Sequence, residues 1–413
     1  MRRVAITGAG IVSPLGNSIQ DLHRSLAQAR PGVRALPAQL AQGSGVKVAA
    51  LVDWDPTPLL KEAEAANLDR VSQFALGAAA QALASSALDP ADPARERIGV
   101  YWGTGMGGAH TLEAGFKSVY GAGEWRLRPL TVVMAMNNAA GSNVAVRHRL
   151  GGPFANFSTA CSSSAMALGE AMRAIAAGRA DAIVAGGAEA LLAPGMLSAW
   201  QAMRTLAPAD ADNPAASCKP FDQRRAGLVL GEGAAAFVLE EESHARARRA
   251  RIHGFLVGYG NSCDAVHLSR PDRRGQVRAM RDALAEAGLQ PRDIGYINAH
   301  ATATALGDVV EAEAINELFA DAQPLVSSSK SLHGHLLGGA GALELAVALL
   351  ALEEGMVAPT AFLEQPDPAI RLRHVPLRAE RIPPPRAVMS NSFGFGGSNV
   401  VLIAERAAAA AAR

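Results

Sequence analysis

Cysteine is scarce in this chain: three residues in 413, at Cys161, Cys218 and Cys263. Three scattered thiols cannot build a disulfide framework, and no Cys/His grouping has metal-ligand spacing. Neither staples nor a bound metal is expected, and a reducing, cytoplasmic setting fits. Charge imbalance is nearly absent too. At a net +1, no global field draws the chain to nucleic acid or to a membrane, so a charged partner has to be met by a local patch. Long apolar runs are missing. The most apolar region, 182–203, is interrupted by Glu189 and Pro194 and stops at Arg204, which excludes a membrane span. The opening "MRRVAITGAGIVSPLG" is too short and too broken by Gly8, Gly10 and Pro14 to read as a signal peptide. A nicotinamide fingerprint is lacking as well. "GAGIVSPLG" has Ser13 where a third glycine is needed and Pro14 where the helix should begin, so a tight turn after the first strand is expected.

What is present is apolar residue, 49% of the chain, enough for more than one ordinary domain. Short β-branched runs ("RVAIT", "RIGVYWG", "DAIVAGG", "AAAFVLE") alternate with Ala-rich stretches of helical pattern ("VSQFALGAAAQALASSAL", "AMALGEAMRAIAAG", "GQVRAMRDALAEAG", "GALELAVALLALEEG"). That alternation predicts a layered α/β fold, and the small residues predict helices packed very close to a sheet. An internal echo adds a duplication. "QALASSALDPADPARERIGVYWGTG" resembles "DALAEAGLQPRDIGYINAHATA", with Leu83 and Leu284, and Pro90 and Pro291, each 201 positions apart. Two halves, 1–250 and 251–413, are therefore expected to join near the basic stretch 244–254, and "ERAAAAAAR" reads as a frayed tail.

The sharpest local feature is "STACSSSAMALGEAMRAIAAG", residues 158–178, where Cys161 stands among small hydroxyl residues with little to cover it. If a strand ends at Cys161 and Ser162 caps the next helix, the helix N-terminus favours a thiolate and lowers its pKa. The same residues admit a small buried core cysteine, and sequence alone weighs the two evenly. Cys218 and Cys263 read as structural. His300, in "YINAHATATALGD", and His335, in "SSSKSLHGHLLGGAGALE", both follow short strands, where α/β folds place chemistry. Either alone reads as a satisfied loop histidine. Together with Cys161 they form a nucleophile and two imidazoles, able to capture an acyl group and steady an enolate. His333 is left out of that set. A buried Lys330 needs a carboxylate, and "GDVVEAE" offers Asp308 and Glu311. The glycines of "VMSNSFGFGGSNVVLI" allow backbone amides to approach a ligand.

"STACSSS", "NAHATAT", "KSLHGHLLGGAGALE" and "NSFGFGGSN", with "TGAGIVSPLG" and "KPFDQRRAGLVLGEGA" in the same order, resemble the signatures of the β-ketoacyl-acyl-carrier-protein synthases over about residues 2–405. The resemblance implies the thiolase fold: two βαβαβαββ halves in a five-layer α/β/α/β/α sandwich, usually dimeric. It implies that Cys161 accepts the acyl group, that His300 and His335 support decarboxylation of a malonyl extender and the condensation, and that Lys330 and Glu311 hold the histidine loops. It further implies an oxyanion hole from the amides of Cys161 and Phe393, with Phe393 as a gate, "DAVHLSRPD" (264–272) as a second mobile loop, and Met106 lining the acyl pocket. No organic cofactor is implied, since the phosphopantetheine arm arrives with the carrier protein. Lys61, Arg70, Arg126, Arg128 and Arg204 are the candidates to meet that acidic carrier.

The chain departs from the family pattern at Ala301, Ala303 and Ala305, where Gly, Ser and Pro are usual, and at Leu228, where Phe is usual. These departures fit a specialised polyketide or aryl-polyene synthase as well as a fatty-acid one. Such enzymes work as homodimers or beside a ketosynthase-like chain-length subunit that lacks the cysteine. Retention of Cys161 favours the catalytic partner over the chain-length subunit. A degradative thiolase is disfavoured, because "NSFGFGGSN" offers no second cysteine.

Overall fold

The computed structural model describes residues 2–89 and 93–407; Pro90, one leg of the internal echo, and the alanine tail beyond residue 407 lie outside them. The first half runs β1 (Val4–Val12), α1 (Arg70–Ser86), β2 (Ile98–Gly103), α2 (Ala139–His148), β3 (Phe154–Phe157), α3 (Ser163–Ala176), β4 (Ala182–Glu189) and β5 (Gly233–Glu241). The second runs β6 (Gly254–Cys263), α4 (Arg273–Ala287), β7 (Ile294–Asn298), α5 (Gly307–Phe319), β8 (Leu325–Ser327), α6 (Ala340–Glu354), β9 (Ala387–Gly394) and β10 (Ser398–Glu405). Each half is βαβαβαββ.

The halves repeat in pairing as well as in order. From the centre outward the first sheet runs β1-β5-β4-β2-β3 and the second β6-β10-β9-β7-β8. In both, the first two pairings are antiparallel and the outer two parallel. The two sheets meet where β1 pairs antiparallel with β6, Val4 opposite Leu256. Helices α3 and α6 pack on each other and on strands of both halves, while α1 and α2 cover one outer face and α4 and α5 the other. This is the five-layer arrangement. The middle helix α6 is buried from Ala340 through Leu352, as expected for a helix apolar all round. Among the described residues no helix is long and apolar enough to cross a membrane.

Glycine explains how closely the outer helices sit. A Cβ on Gly8 or Gly10 would stand 2.2 Å from the carbonyl oxygens of Ala82 and Ala78 in α1. In the second half, a Cβ on Gly258 or Gly260 would stand 2.4 and 1.8 Å from those of Ala283 and Ala279 in α4. The carbonyls at 82 and 283, and at 78 and 279, are again 201 apart. The expected tight turn follows β1 at Ser13–Gly16, closed by paired backbone bonds (3.1 Å each), while Gly8 and Gly10 lie inside β1, where their role is close packing. Capping repeats too. Asp69 accepts from the Val71 amide at the start of α1 and Asp272 from the Arg274 amide at the start of α4. Both helices end in a left-handed residue, Ala87 and Gly288.

Candidate active site

Cys161 lies in a short turn between β3 and α3, at the inner end of the central layer. The turn is strained: Ala160 has φ +50°, a left-handed conformation costly for a residue with a Cβ. The small hydroxyl residues around Cys161 hold that turn. Ser163 Oγ donates to the Ala160 carbonyl (2.6 Å) and accepts from the Thr159 amide (2.9 Å). Ser162 does not cap the helix as expected; its hydroxyl turns back to the Thr159 carbonyl (2.8 Å) and to Ser398 Oγ (2.9 Å). Gly103 of β2 lets the sheet approach, since a Cβ there would stand 2.3 Å from the Ser164 amide.

Of the two readings of Cys161 that the sequence weighs evenly, the structure bears out the buried cysteine and not the poorly covered, acidic thiol. Cys161 is buried, in an apolar cluster with Leu191, Leu197, Leu228 and Leu337. Burial pushes its thiol up to about 12, and the Lys330 ammonium and the Phe395 amide only partly oppose this. The resting group is a thiol, whose proton needs an acceptor at hand. His335 Nε2 stands 3.0 Å from Sγ. The His300 ring lies edge-on to that of His335, centroids 5.2 Å apart. Sγ and one nitrogen of each ring lie within 4.8 Å of one another, a spacing that would also suit a metal ion. Burial, then the nearby Lys330 charge, holds both imidazoles well below their ordinary pKa, so both are neutral at pH 7.

Each histidine is held through its backbone. The His335 amide donates to the Val229 carbonyl (2.7 Å). The amides of His300 and Ala301 donate to the two oxygens of Glu311 (2.9 and 2.7 Å), and Asn391 Nδ2 also donates to that carboxylate (3.0 Å). Ala303, in the same loop, is buried with φ +64°.

The structure redistributes several expected partners. Lys330 is fully buried, but neither Asp308 nor Glu311 is its counter-ion; it pairs with Glu344 of α6. Asp308 instead accepts from the Phe221 amide (2.8 Å). The distances follow from topology, because α6 leads directly out of the His335 loop and α5 does not. Glu344 was a detectable signal: one acid inside the otherwise apolar "GALELAV" requires a buried partner. Phe393 does not supply the amide at the sulfur. It is a β9 residue paired with Asn399, its buried ring 6.2 Å from that of His300. The amide donating to Sγ is that of Phe395, two residues on, where the chain leaves the strand. The Phe395 ring stacks on Trp200 at 6.1 Å and 24°. Met106 is 45% exposed and does not line the cavity at Cys161; its amide donates to Glu189 (3.2 Å). Glu189, the acid that interrupts the apolar run 182–203, has a role that its sequence context does not show. Its buried carboxylate, raised to about 7 by burial, also accepts from Gly105 and Gly338, tying the Met106 loop to the His335 loop.

The basic candidates divide. Arg70 is spent on the buried Glu232 (2.8 Å) and lies over the Phe74 ring. Arg126 and Arg128 are exposed and share a surface cavity with it, and Lys61 is exposed nearby in sequence. Arg204 is exposed beside Thr205, which lines the cavity leading to Cys161. That cavity, of about 210 Å³, is also walled by Leu228, Thr302, Thr304, Phe395 and the 264–272 loop. The loop is tied to the glycine-rich turn by Gly396 N–H donating to the Leu268 carbonyl (2.7 Å) and Asp264 N–H to the Gly397 carbonyl (2.9 Å).

Known proteins are similar to this chain in sequence and fold. The family described as "Beta-ketoacyl synthase, N-terminal domain" matches residues 1–245, and "Beta-ketoacyl synthase, C-terminal domain" matches residues 253–364. The chain is 39% identical over 410 residues to 3-oxoacyl-acyl-carrier-protein synthase 2 of Coxiella burnetii, covering 98% of this chain and 99% of that protein. Among solved structures, a beta-ketoacyl synthase from Burkholderia phymatum superposes with a TM-score of 0.92 at 34% identity, covering 99% of this chain and all of that one. The ishigamide ketosynthase/chain length factor gives 0.92 at 31%, covering 98% and 100%. With both halves matched and full-length relatives well above 30% identity, the chain belongs to the beta-ketoacyl synthase family of acyltransferases.

Proposed function

We propose that the chain condenses an acyl group held on Cys161 with malonyl-acyl-carrier protein, losing carbon dioxide and giving a 3-ketoacyl-acyl-carrier protein two carbons longer. The observation that carries this reading is the Sγ–Nε2 pair at 3.0 Å with a second neutral imidazole against it. In the first half-reaction Sγ attacks the carbonyl carbon of the acyl thioester. The thiol proton is relayed through His335 to the departing sulfur of the carrier arm, and the amides of Cys161 and Phe395 face the oxyanion. In the second, the malonyl carbon–carboxylate bond breaks and its electron pair forms an enolate. N–H groups of His300 and His335 hold the enolate oxygen, a donor role open to neutral imidazole. The enolate carbon then attacks the acyl carbon, the carbon–sulfur bond breaks, and the Cys161 thiolate leaves and takes a proton from solvent, restoring the thiol. Lys330 and Glu311 are positioning residues. The arm belongs to the carrier, so the chain needs no cofactor of its own.

Arg204, Arg126, Arg128 and Lys61 offer the basic surface for the carrier. The chain works as a homodimer or beside a chain-length subunit of the same fold, and its three free cysteines favour the cytoplasm. Intact-mass measurement with acyl- and then malonyl-carrier protein tests the roles. Wild type gains the acyl mass on Cys161 and then releases elongated product. Cys161→Ala gains nothing, while His300→Ala and His335→Ala still acylate but lose malonyl decarboxylation. Full decarboxylation in both histidine variants would remove them from the mechanism.

A further inference from the structure

Two polar groups in the catalytic cavity have no task in the chemistry above. Arg270 is the one lysine or arginine that lines the cavity, standing exposed at its mouth on the 264–272 loop, and among the described residues it has no hydrogen-bond or ion-pair partner. Gln276, in the first turn of α4, also lines the cavity; it is 2% exposed, and its Oε1 has no partner. A buried amide oxygen left without a donor costs about 1–3 kcal/mol. Such a group is stable in the working enzyme when a bound molecule supplies the donor. Thr205 Oγ1, on the same wall, is likewise buried and unpartnered.

On the reading of the reaction given above, the molecule threading this cavity is the carrier's arm. Its chemistry has a fixed order: a phosphodiester at the protein end, amide N–H groups along its length, and a thioester at the tip. The cavity wall carries groups that match these chemistries: an exposed guanidinium, a buried acceptor without a partner, and Cys161. We infer that Arg270 and Gln276 recognise the phosphopantetheine arm, Arg270 binding its phosphate and Gln276 Oε1 accepting from one of its amides. Arginine suits phosphate through its fork of donors. The nearby acids do not compete for it: Asp264 is engaged by Asn399 and the Asp272 amide, and Asp272 pairs with Arg274.

The test compares acyl transfer to Cys161 from acyl-carrier protein, acyl-phosphopantetheine and acyl-pantetheine, which lacks the phosphate. Arg270→Ala should lower the preference, in kcat/KM, for acyl-phosphopantetheine over acyl-pantetheine by about ten-fold, and Arg270→Lys should recover part of it. Gln276→Leu keeps the volume and removes the acceptor, so it should raise KM about equally for all three with little change in kcat. An unchanged preference in Arg270→Ala overturns the phosphate assignment. So does a loss seen with carrier protein but not with free acyl-phosphopantetheine, which would mark Arg270 as a contact to the carrier surface. A Gln276→Leu effect confined to kcat overturns the amide assignment. Failure of the wild type to acylate from any donor would instead strike the ketosynthase reading itself.

Discussion

Lys330 with Glu344 is the clearest case in this protein of a charge buried beside its opposite. Both side chains are fully buried. Removing one partner leaves the other uncompensated, so Glu344→Ala should destabilise the fold by about 3–5 kcal/mol in denaturant unfolding. The double variant Lys330→Met/Glu344→Leu should recover most of that loss. Its activity should still differ, with a direction that the electrostatics set. Lys330 helps hold His300 and His335 below their ordinary pKa, so without it both rise and the acid limb of decarboxylation moves to higher pH. His333 gives a stability counterpart. Burial lowers it to about 3, so the folded ring stays neutral while the unfolded one protonates below about pH 6.5. The stability it contributes is complete above that value and is lost as pH falls. Between about pH 7 and pH 5 the wild type should lose about 2 kcal/mol more than His333→Gln, measured by unfolding at each pH. At this scale the sequence was only half legible. Cys161, His300 and His335 stand out as reactive types in small-residue loops. Their neighbours do not, because counter-ions are chosen by which helix continues which loop. Asp308 and Glu311 are nearer to His300 in sequence, yet Glu344 reaches Lys330. Phe393 and Phe395 are equivalent in composition, and only the point where β9 ends decides which one presents its amide.

Elements are set by spacing that sequence displays well. The runs at 4–12, 98–103, 182–189 and 233–241 form strands where their β-branched pattern puts them, and the 201-residue echo becomes two halves with one pairing order. What the pattern hid was why glycine sits inside β1 and β6. A glycine motif in a strand reads locally as a turn or a ligand loop, whereas here each removes a Cβ that would strike a helix carbonyl. The consequence is measurable. Gly260→Ala would place a methyl 1.8 Å from the Ala279 carbonyl and should force α4 away from β6, lowering stability by at least about 2 kcal/mol. The exposed Gly121, whose nearest contact would be Lys117 Cγ at 3.8 Å, should accept alanine with little change. Equal tolerance at both sites would mean that the helix–sheet spacing is set elsewhere.

At the first half's edge of the sheet lies β3, whose outer side has no strand beside it among the described residues. An open edge with unpaired amides and carbonyls invites another strand. The surface around it is apolar. Phe154 on β3 is 44% exposed, Val146 on α2 78%, and Met136 50%. Asn137, bonded to Ser158 Oγ at 3.3 Å, keeps the Thr131–Ala135 turn of helix beside that edge, with Val132 and Val133 outward. Two copies of this chain can satisfy both features at once, edge against edge across a two-fold axis, which extends the sheet and covers both patches. The chain expressed alone should therefore elute and scatter light as a dimer. Phe154→Asp and Val133→Asp place charges on the edge strand and in the patch, and together they should give a monomer that keeps the fold by circular dichroism. If the wild type is monomeric alone and pairs only with a chain-length subunit, the edge is selective for a second fold-mate.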